Sequence, residues 1–322
     1  MEIVSITHAS DIDGIGSAAL IRRKMGVRLD RVFFSDYSEE ALAGISDDVG
    51  RISSREETLL FLTDLGMNRG LAGIYKEIIN NAQSNGGMAV WLDHHYWEPR
   101  LIKEVAGLCD FAVVGENRRY CATEITMRFL GVRDTFARKL AGIVHYSDFN
   151  IRPKDENTRK TVGNYALGIA GFNNAGEERK IGMLRRLVGT ISEGRLSSSE
   201  LESSAARFRR MSEARIRKML GGLCRVGSDA YIGFSKSIQS TQGCGAILEA
   251  KGCELGIYVN TDSGKAHLRS KGAVDCAKLA GMFGGGGHPR AAGFQIDMRK
   301  FRIGSKEGRE KLGREIEKCI SR

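Results

Sequence analysis

Apolar positions in the first 150 residues fall in short continuous runs rather than in strict alternation with polar ones. Ile3–Thr7, Val32–Phe34, Leu59–Thr63, Ala89–Leu92 and Phe111–Val114 are rich in Val, Ile, Leu and Phe, and helix-length segments such as Ser17–Met25 and Leu71–Asn80 lie between them. Short apolar runs spaced by helices read as strands buried on both faces of a parallel, doubly wound sheet. After Asp148 the rhythm turns helical, with MLRRLVGTI at 183–191, a polar stretch at 192–204, and a long helix expected to run to about Leu223. On that helix Leu201, Ala205, Phe208 and Met211 recur at helical spacing, and Arg207, Arg209, Arg210, Arg215, Arg217 and Lys218 form a solvated face. The last hundred residues change rhythm again. Strands near Ala230–Phe234, Glu254–Val259, Ala266–Arg269 and Gly293–Ile296, with two short helices including Val274–Met282, indicate a smaller mixed-sheet domain. The expected fold class is therefore α/β throughout: a domain over 1–195, a helical connector over 196–223, and a C-terminal α/β domain over 224–322.

Composition narrows the class of protein. A chain of 322 residues, 42% hydrophobic and 27% charged, has the make-up of an ordinary globular protein with about two domains. No apolar stretch reaches the roughly 18 residues that span a bilayer, so no membrane partner is expected. The opening MEIVSITHASD is acidic and enters a strand directly, unlike a secretory signal. Seven cysteines without a C-x-x-C pair fit reduced thiols, and a cytoplasmic protein is expected. Charge is unevenly divided. Residues 1–150 carry 17 Lys and Arg against 21 Asp and Glu, and the remainder carries 32 against 18, so an acidic half precedes a basic one. The first suits divalent cations and the second polyanions.

Four acidic or histidine clusters follow strand-like or helical stretches in the acidic half. THASDIDG supplies His8, Asp11 and Asp13; TLLFLTDLG supplies Asp64; MAVWLDHH supplies Asp93, His94 and His95; GIVHYSDF supplies His145 and Asp148. Ligands of a doubly wound sheet collect beyond the carboxyl ends of its strands, which is where the first three clusters fall. Carboxylate oxygens with imidazole nitrogens form the donor set of a Mn- or Mg-type two-metal site. Each cluster also has a plainer reading. Asp11-x-Asp13-Gly14 is a turn pattern, Asp64 suits a cap for a helix starting near Met67, and His145 suits a packed core position.

A fifth cluster, FGGGGHPRAAGF at 283–294, sets four glycines before His288 and Arg290. Glycine amides open to an anion, with cationic donors beside them, suit phosphate, and Arg269 and Ser270 of HLRS lie at a strand end within reach. Phe283 and Phe294 flank the run as candidates for base stacking or for the core.

These motifs, in this order, resemble the DHH phosphoesterase superfamily, which is named for its Asp-His-His triplet, together with the GGGGH-bearing domain associated with it. The resemblance spans nearly the whole chain. It implies a two-lobed enzyme holding two divalent ions, Mn preferred with Mg or Co as alternatives. Carried over by motif, His8 and Asp11 hold one ion, Asp13, His94 and Asp148 the other, and Asp64 bridges them. His95 then contacts the scissile phosphate and Asp93 orients a histidine, while Gly285, Gly286, Gly287, His288 and Arg290, with Arg269, grip phosphate. The superfamily includes single-strand exonucleases of the RecJ type, nanoRNases, 3′-phosphoadenosine 5′-phosphate phosphatases, cyclic-dinucleotide phosphodiesterases, exopolyphosphatases and manganese pyrophosphatases. The basic second half favours a polyanion longer than one nucleotide. The expected function is thus a Mn-dependent exonuclease on single-stranded nucleic acid or short oligonucleotides, with a replication or repair protein as a further partner. A small-nucleotide phosphoesterase or an exopolyphosphatase is the alternative. A non-catalytic replication scaffold would have lost metal ligands, and here every expected ligand is present.

Overall fold

The parallel sheet forms where the apolar runs place it. A computed structural model describes residues 1–67, 69–117 and 119–320. Two compact units emerge, Met1–Phe208 and Arg209–Arg322.

In the first unit β1 (Glu2–His8), α1 (Ile12–Met25), β2 (Val32–Ser35), α2 (Glu39–Ser53), β3 (Thr58–Thr63), α3 (Ala72–Gln83), β4 (Met88–Leu92), α4 (Pro99–Glu104) and β5 (Phe111–Val113) alternate along the chain. The five strands pair in parallel in the order β2-β1-β3-β4-β5. Four helices follow, α5 (Ala122–Phe129), α6 (Thr135–Asp148), α7 (Glu156–Phe172) and α8 (Glu177–Ser192), and then α9 (Ser199–Leu220). One face of the sheet buries Phe61, Val90 and Leu92 against α1 and α5–α8, through Ile15, Leu20, Ile125, Leu140, Val144 and Leu184. The other face buries Ile6, Leu60, Leu62 and Trp91 against α2 and α3, through Leu42, Val49, Tyr75 and Ile79. Strands covered on both faces must be apolar throughout, which is why they read as runs. The strand order reverses direction between β1 and β3, the switch point of such a sheet. There Thr63 donates through Oγ1 to Thr7 Oγ1 (2.9 Å), and Thr7 donates to Gly14 O (2.7 Å), tying both strand ends to the start of α1.

α9 begins at Ser199, inside the stretch that reads as polar linker, because Leu201 and Ala205 pack while Ser204 donates to Gly168 O (2.9 Å). Close approach of the two helices needs glycine: a Cβ on Gly171 would lie 2.3 Å from Ser204 Oγ.

The second unit holds β6 (Cys224–Val226), β7 (Ala230–Ser235), α10 (Ser240–Lys251), β8 (Leu255–Asn260), β9 (Lys265–Ser270), α11 (Cys276–Gly281), β10 (Gly286–His288), β11 (Ala291–Gln295), α12 (Met298–Phe301) and α13 (Lys306–Ile320). Its six strands form a mixed sheet in the order β10-β11-β9-β8-β7-β6, with only β7 and β8 parallel. Ile232, Ile257, Leu268 and Phe294 pack against Leu279, Leu312 and Ile316 on one face. Tyr258 packs with Cys244, Ile247 and Met219 on the other. Among the described residues no helix is long and apolar enough to cross a membrane.

Candidate metal centre and anion pocket

The carboxyl ends of β1, β3 and β4 bring together the residues singled out in the sequence, and α6 adds one more. Asp11 caps α1: its Oδ1 accepts from Asp13 N (3.0 Å) and Gly14 N (3.4 Å), leaving Oδ2 2.8 Å from His8 Nδ1. The turn reading and the ligand reading of Asp11 thus hold for different oxygens of one carboxylate. Asp13 is buried and accepts from Ala122 N (2.8 Å) and Thr123 N (2.6 Å), two orphan amides at the start of α5. α3 begins at Ala72 with Leu71 before it, so Asp64 does not cap it. Asp64 is buried at φ +56, a conformation that non-glycine residues seldom adopt, and it lies 3.5 Å from His8 and 3.7 Å from His94.

His94 is the hub. Its Nε2 lies 3.6 Å from Asp13 Oδ2, 3.7 Å from Asp64 Oδ1 and 3.7 Å from Asp148 Oδ2, yet makes no hydrogen bond. His8 Nδ1 and Asp64 Oδ2 are likewise buried without a hydrogen-bond partner, the 2.8 Å approach to Asp11 lacking the alignment for one. Unsatisfied buried donors and acceptors are costly and rare. Donors about 2.1 Å from one cation stand roughly 3.0–3.5 Å apart, close to the spacing found here. Three groups of the described residues fit an ion: His8, Asp11 and Asp64; Asp13, His94 and Asp148; and Asp64, His94 and His95.

Electrostatics point the same way. Burial, reinforced by the Asp64, Asp148 and Asp11 carboxylates, holds Asp13 well above the ordinary carboxylate range. Asp64 is raised by burial and by Asp11. Asp148 rises to about 6 through burial, with His94 opposing and Asp64 and Asp11 adding. Burial works against charge on the histidines, but Asp11 and Asp64 outweigh it at His8, raised to about 10, and Asp64, Asp148 and Asp13 outweigh it at His94, raised to about 9. Burial lifts Asp11 too, but contact with His8 overrides it and brings the group down to about 2. Asp13, Asp64 and Asp148, close together and away from solvent, repel one another and retain protons unless positive charge joins them.

Asp93 takes a different part. It is buried and fully engaged, accepting from Trp97 Nε1 (2.8 Å), His95 N (3.1 Å) and His95 Nδ1 (2.8 Å). Its partner His95 is 42% exposed and held above its ordinary pKa, burial being outweighed by Asp93. His145 stands outside the three donor groups. Its Nδ1 meets Glu124 Oε2 (2.8 Å), and the same oxygen accepts from Cys121 N, so the histidine braces the start of α5.

In the second unit, β9 presents Lys265, His267 and Arg269 beside Gly286 and Gly287 of β10, and Ser240 at the start of α10 completes a pocket of about 370 Å³. The glycine run is no open loop. Gly284 N and Gly285 N donate to Gly281 O (3.0 Å) and Ala280 O (2.9 Å), and Gly286–His288 pair with β11. Its use is the absence of side chains: a Cβ on Gly285 would meet Gly293 O at 2.2 Å, whereas nothing lies within 4 Å of one on Gly286. His288 and Arg290 do not line this pocket. His288 aligns through Ala291 with Arg269, and the Arg290 guanidinium lies by Gly272. His267 carried no sequence signal. It stacks on Tyr258 (ring centroids 5.7 Å apart), and burial with Lys265 and Arg269 lowers it to about 4, so it is neutral. Phe283 and Phe294 stack on each other at 4.4 Å, Phe294 buried in the core and Phe283 half-buried against it.

Residues 242–321 match the DHHA1 domain family. Three solved structures share the fold beyond these residues. RecJ in complex with Mn²⁺ from Thermus thermophilus is 16% identical at a TM-score of 0.52, over 97% of this chain and 51% of that one. The pGpG-specific phosphodiesterase PggH from Vibrio cholerae is 11% identical at 0.56, over 98% and 99%. An exopolyphosphatase-related protein from Bacteroides fragilis is 16% identical at 0.50, over 97% and 92%. At such identities the likeness speaks for the fold. A comparison with curated proteins finds no match. The DHHA1 domain at one end and the fold across the whole chain bear out the resemblance to the DHH superfamily that the motifs carry.

Proposed function

We propose that the chain is a metal-dependent phosphoesterase, and that its substrate is single-stranded nucleic acid or a short oligonucleotide hydrolysed from an end. The observation that carries the reading is the convergence of His8 Nδ1, Asp64 Oδ2 and His94 Nε2, all buried and unsatisfied, among four carboxylates. His8, Asp11 and Asp64 would hold one divalent ion, Asp13, His94 and Asp148 a second, and Asp64 would serve both; Mn, Mg and Co all suit such donors. When bound, such a pair supplies Lewis acidity to phosphoryl oxygens and lowers the pKa of a water.

The chain's own groups do the rest. The start of α5 fixes Asp13 through two amides, so its carboxylate is oriented before any ion arrives. Asp93 holds His95 Nδ1, leaving the outer ring nitrogen to donate to a phosphoryl oxygen of the scissile group. In the DHHA1 domain, Arg269 and Lys265 attract phosphate, the bare surface of Gly286 lets it approach, and neutral His267 offers a hydrogen bond without charge. Gly287 lines the same pocket, and Gly285, His288 and Arg290 belong to the same motif beside it. Residues 1–195 serve as the metal-binding domain, 196–223 as connector and 224–322 as substrate domain, in a reducing compartment that suits seven free thiols.

End-labelled RNA and DNA from dinucleotides to about twenty-mers, incubated with Mn²⁺, test the reading. Stepwise release of mononucleotides, lost in Asp64→Ala and Asp93→Ala, is expected. Hydrolysis of polyphosphate or of small nucleotides alone would move the substrate to the alternative class, and hydrolysis of nothing would end the proposal.

A further inference from the structure

Residues 1–150 carry more acid than base, yet one corner of them is built from arginine. Where α5 ends and α6 begins, Met127, Arg128, Gly131, Val132, Arg133 and Arg138 enclose a cavity of about 550 Å³, with no carboxylate among the described lining residues. Two of the three arginines are set rather than loose. Arg128 lies over the Tyr120 ring at 3.7 Å, and Arg119 approaches the same ring at 5.5 Å. Arg138 donates to Arg133 O through Nε (2.9 Å) and Nη2 (2.5 Å), which pins the turn. The nearest acids in sequence are spoken for. Asp134 caps α6 through Ala137 N (3.0 Å) and faces Arg23, while Glu124 is engaged by His145 and Cys121 N. Guanidinium groups without carboxylates, in a cavity of ligand size, suit phosphate.

Position ties this cavity to the metal centre. The amides of Ala122 and Thr123 hold Asp13 at one end of α5, and the cavity opens at the other. Eight residues of helix span about 12 Å, the length of three to four stacked nucleotides at about 3.4 Å each. We propose that this cavity is a second phosphate subsite, which takes the backbone of a single strand several nucleotides away from the scissile bond. The inference rests on the phosphoesterase reading and adds a length preference to it: dinucleotides would fall short of the subsite, and strands of about five or more would reach it.

Arg133→Glu tests this, with Arg133→Ala beside it, because the side chain is exposed and makes no hydrogen bond or ion pair among the described residues. Binding is read by fluorescence anisotropy of a labelled ten-mer in chelator, where no hydrolysis occurs, over a series of salt concentrations. The ten-mer is expected to bind about tenfold more weakly to Arg133→Glu, and the slope of log affinity against log salt to fall by about 0.7 for each phosphate that the variant no longer neutralises. Dinucleotide turnover with Mn²⁺ should be unchanged. Equal ten-mer affinity and slope in wild type and both variants would overturn the subsite while leaving the phosphoesterase reading to its own assay. Weaker binding of polyphosphate but not of the ten-mer would assign the cavity to a bare phosphate chain and overturn it as a nucleic-acid site. A wild type that binds no ten-mer would overturn it too.

Discussion

At the scale of single residues, the centre is an arrangement of charges that the folded chain cannot neutralise alone. Asp13, Asp64 and Asp148 sit above their ordinary range because they are buried together, and His8 and His94 rise to about 10 and about 9 in answer. A histidine raised in the folded state stabilises it fully below its unfolded pKa and loses that contribution as pH rises through the folded value. In chelator the protein should therefore lose stability between about pH 7 and pH 9, and less so in His94→Gln. Added Mn²⁺ should reverse the trend, because cations displace those protons and bind better as pH rises. Thermal melts across that window check it; a metal-free melt that climbs with pH, equally in wild type and variant, would contradict the account. Much of this residue scale was legible. Asp-His-His after an apolar run, and Asp11, Asp13, Asp64 and Asp148 in order, are local signals. The amides that hold Asp13 come from 109 and 110 residues further on, so no window of sequence displays them. His267 is invisible for a related reason: its neutrality comes from Tyr258 behind it and two cations beside it, contacts made only when the sheet forms.

At the scale of elements, buried parallel strands announced themselves because each must be apolar on both faces. Elements that rely on context did not. β10 is Gly286–His288, whose one side chain gives it no pattern, and it exists because β11 pairs with it. α9 starts inside a serine-rich stretch because Gly168 and Gly171 let Leu201 and Ser204 approach closely. The two glycines at the pocket separate architecture from binding. Gly285→Ala places a methyl against β11 and should cost about 1–3 kcal/mol of stability. Gly286→Ala meets open space, so it should melt as wild type does, while its methyl, on the pocket wall, weakens phosphate binding by about 1 kcal/mol, roughly fivefold. Thermal melts paired with phosphate-ligand titrations compare them. Unfolding of Gly286→Ala, or full affinity in it, would show that the pocket is not where an anion sits.

At the scale of the whole molecule, charge is divided along the chain. Residues 1–150, which carry the candidate metal donors, are its acidic part, and the region that matches DHHA1, with Lys265 and Arg269 at its pocket, lies in the basic part. Each unit has its own core, and the division at Phe208 falls within α9. Donors from β1, β3, β4 and α6 should assemble one divalent-cation centre. Isothermal titration of Mn²⁺ into the metal-free protein and into Asp64→Asn tests it most directly. Two ions per chain in the wild type, with both sites weakened in Asp64→Asn because that carboxylate serves both, is the predicted result. No uptake by the wild type, or equal uptake by the variant, would contradict it.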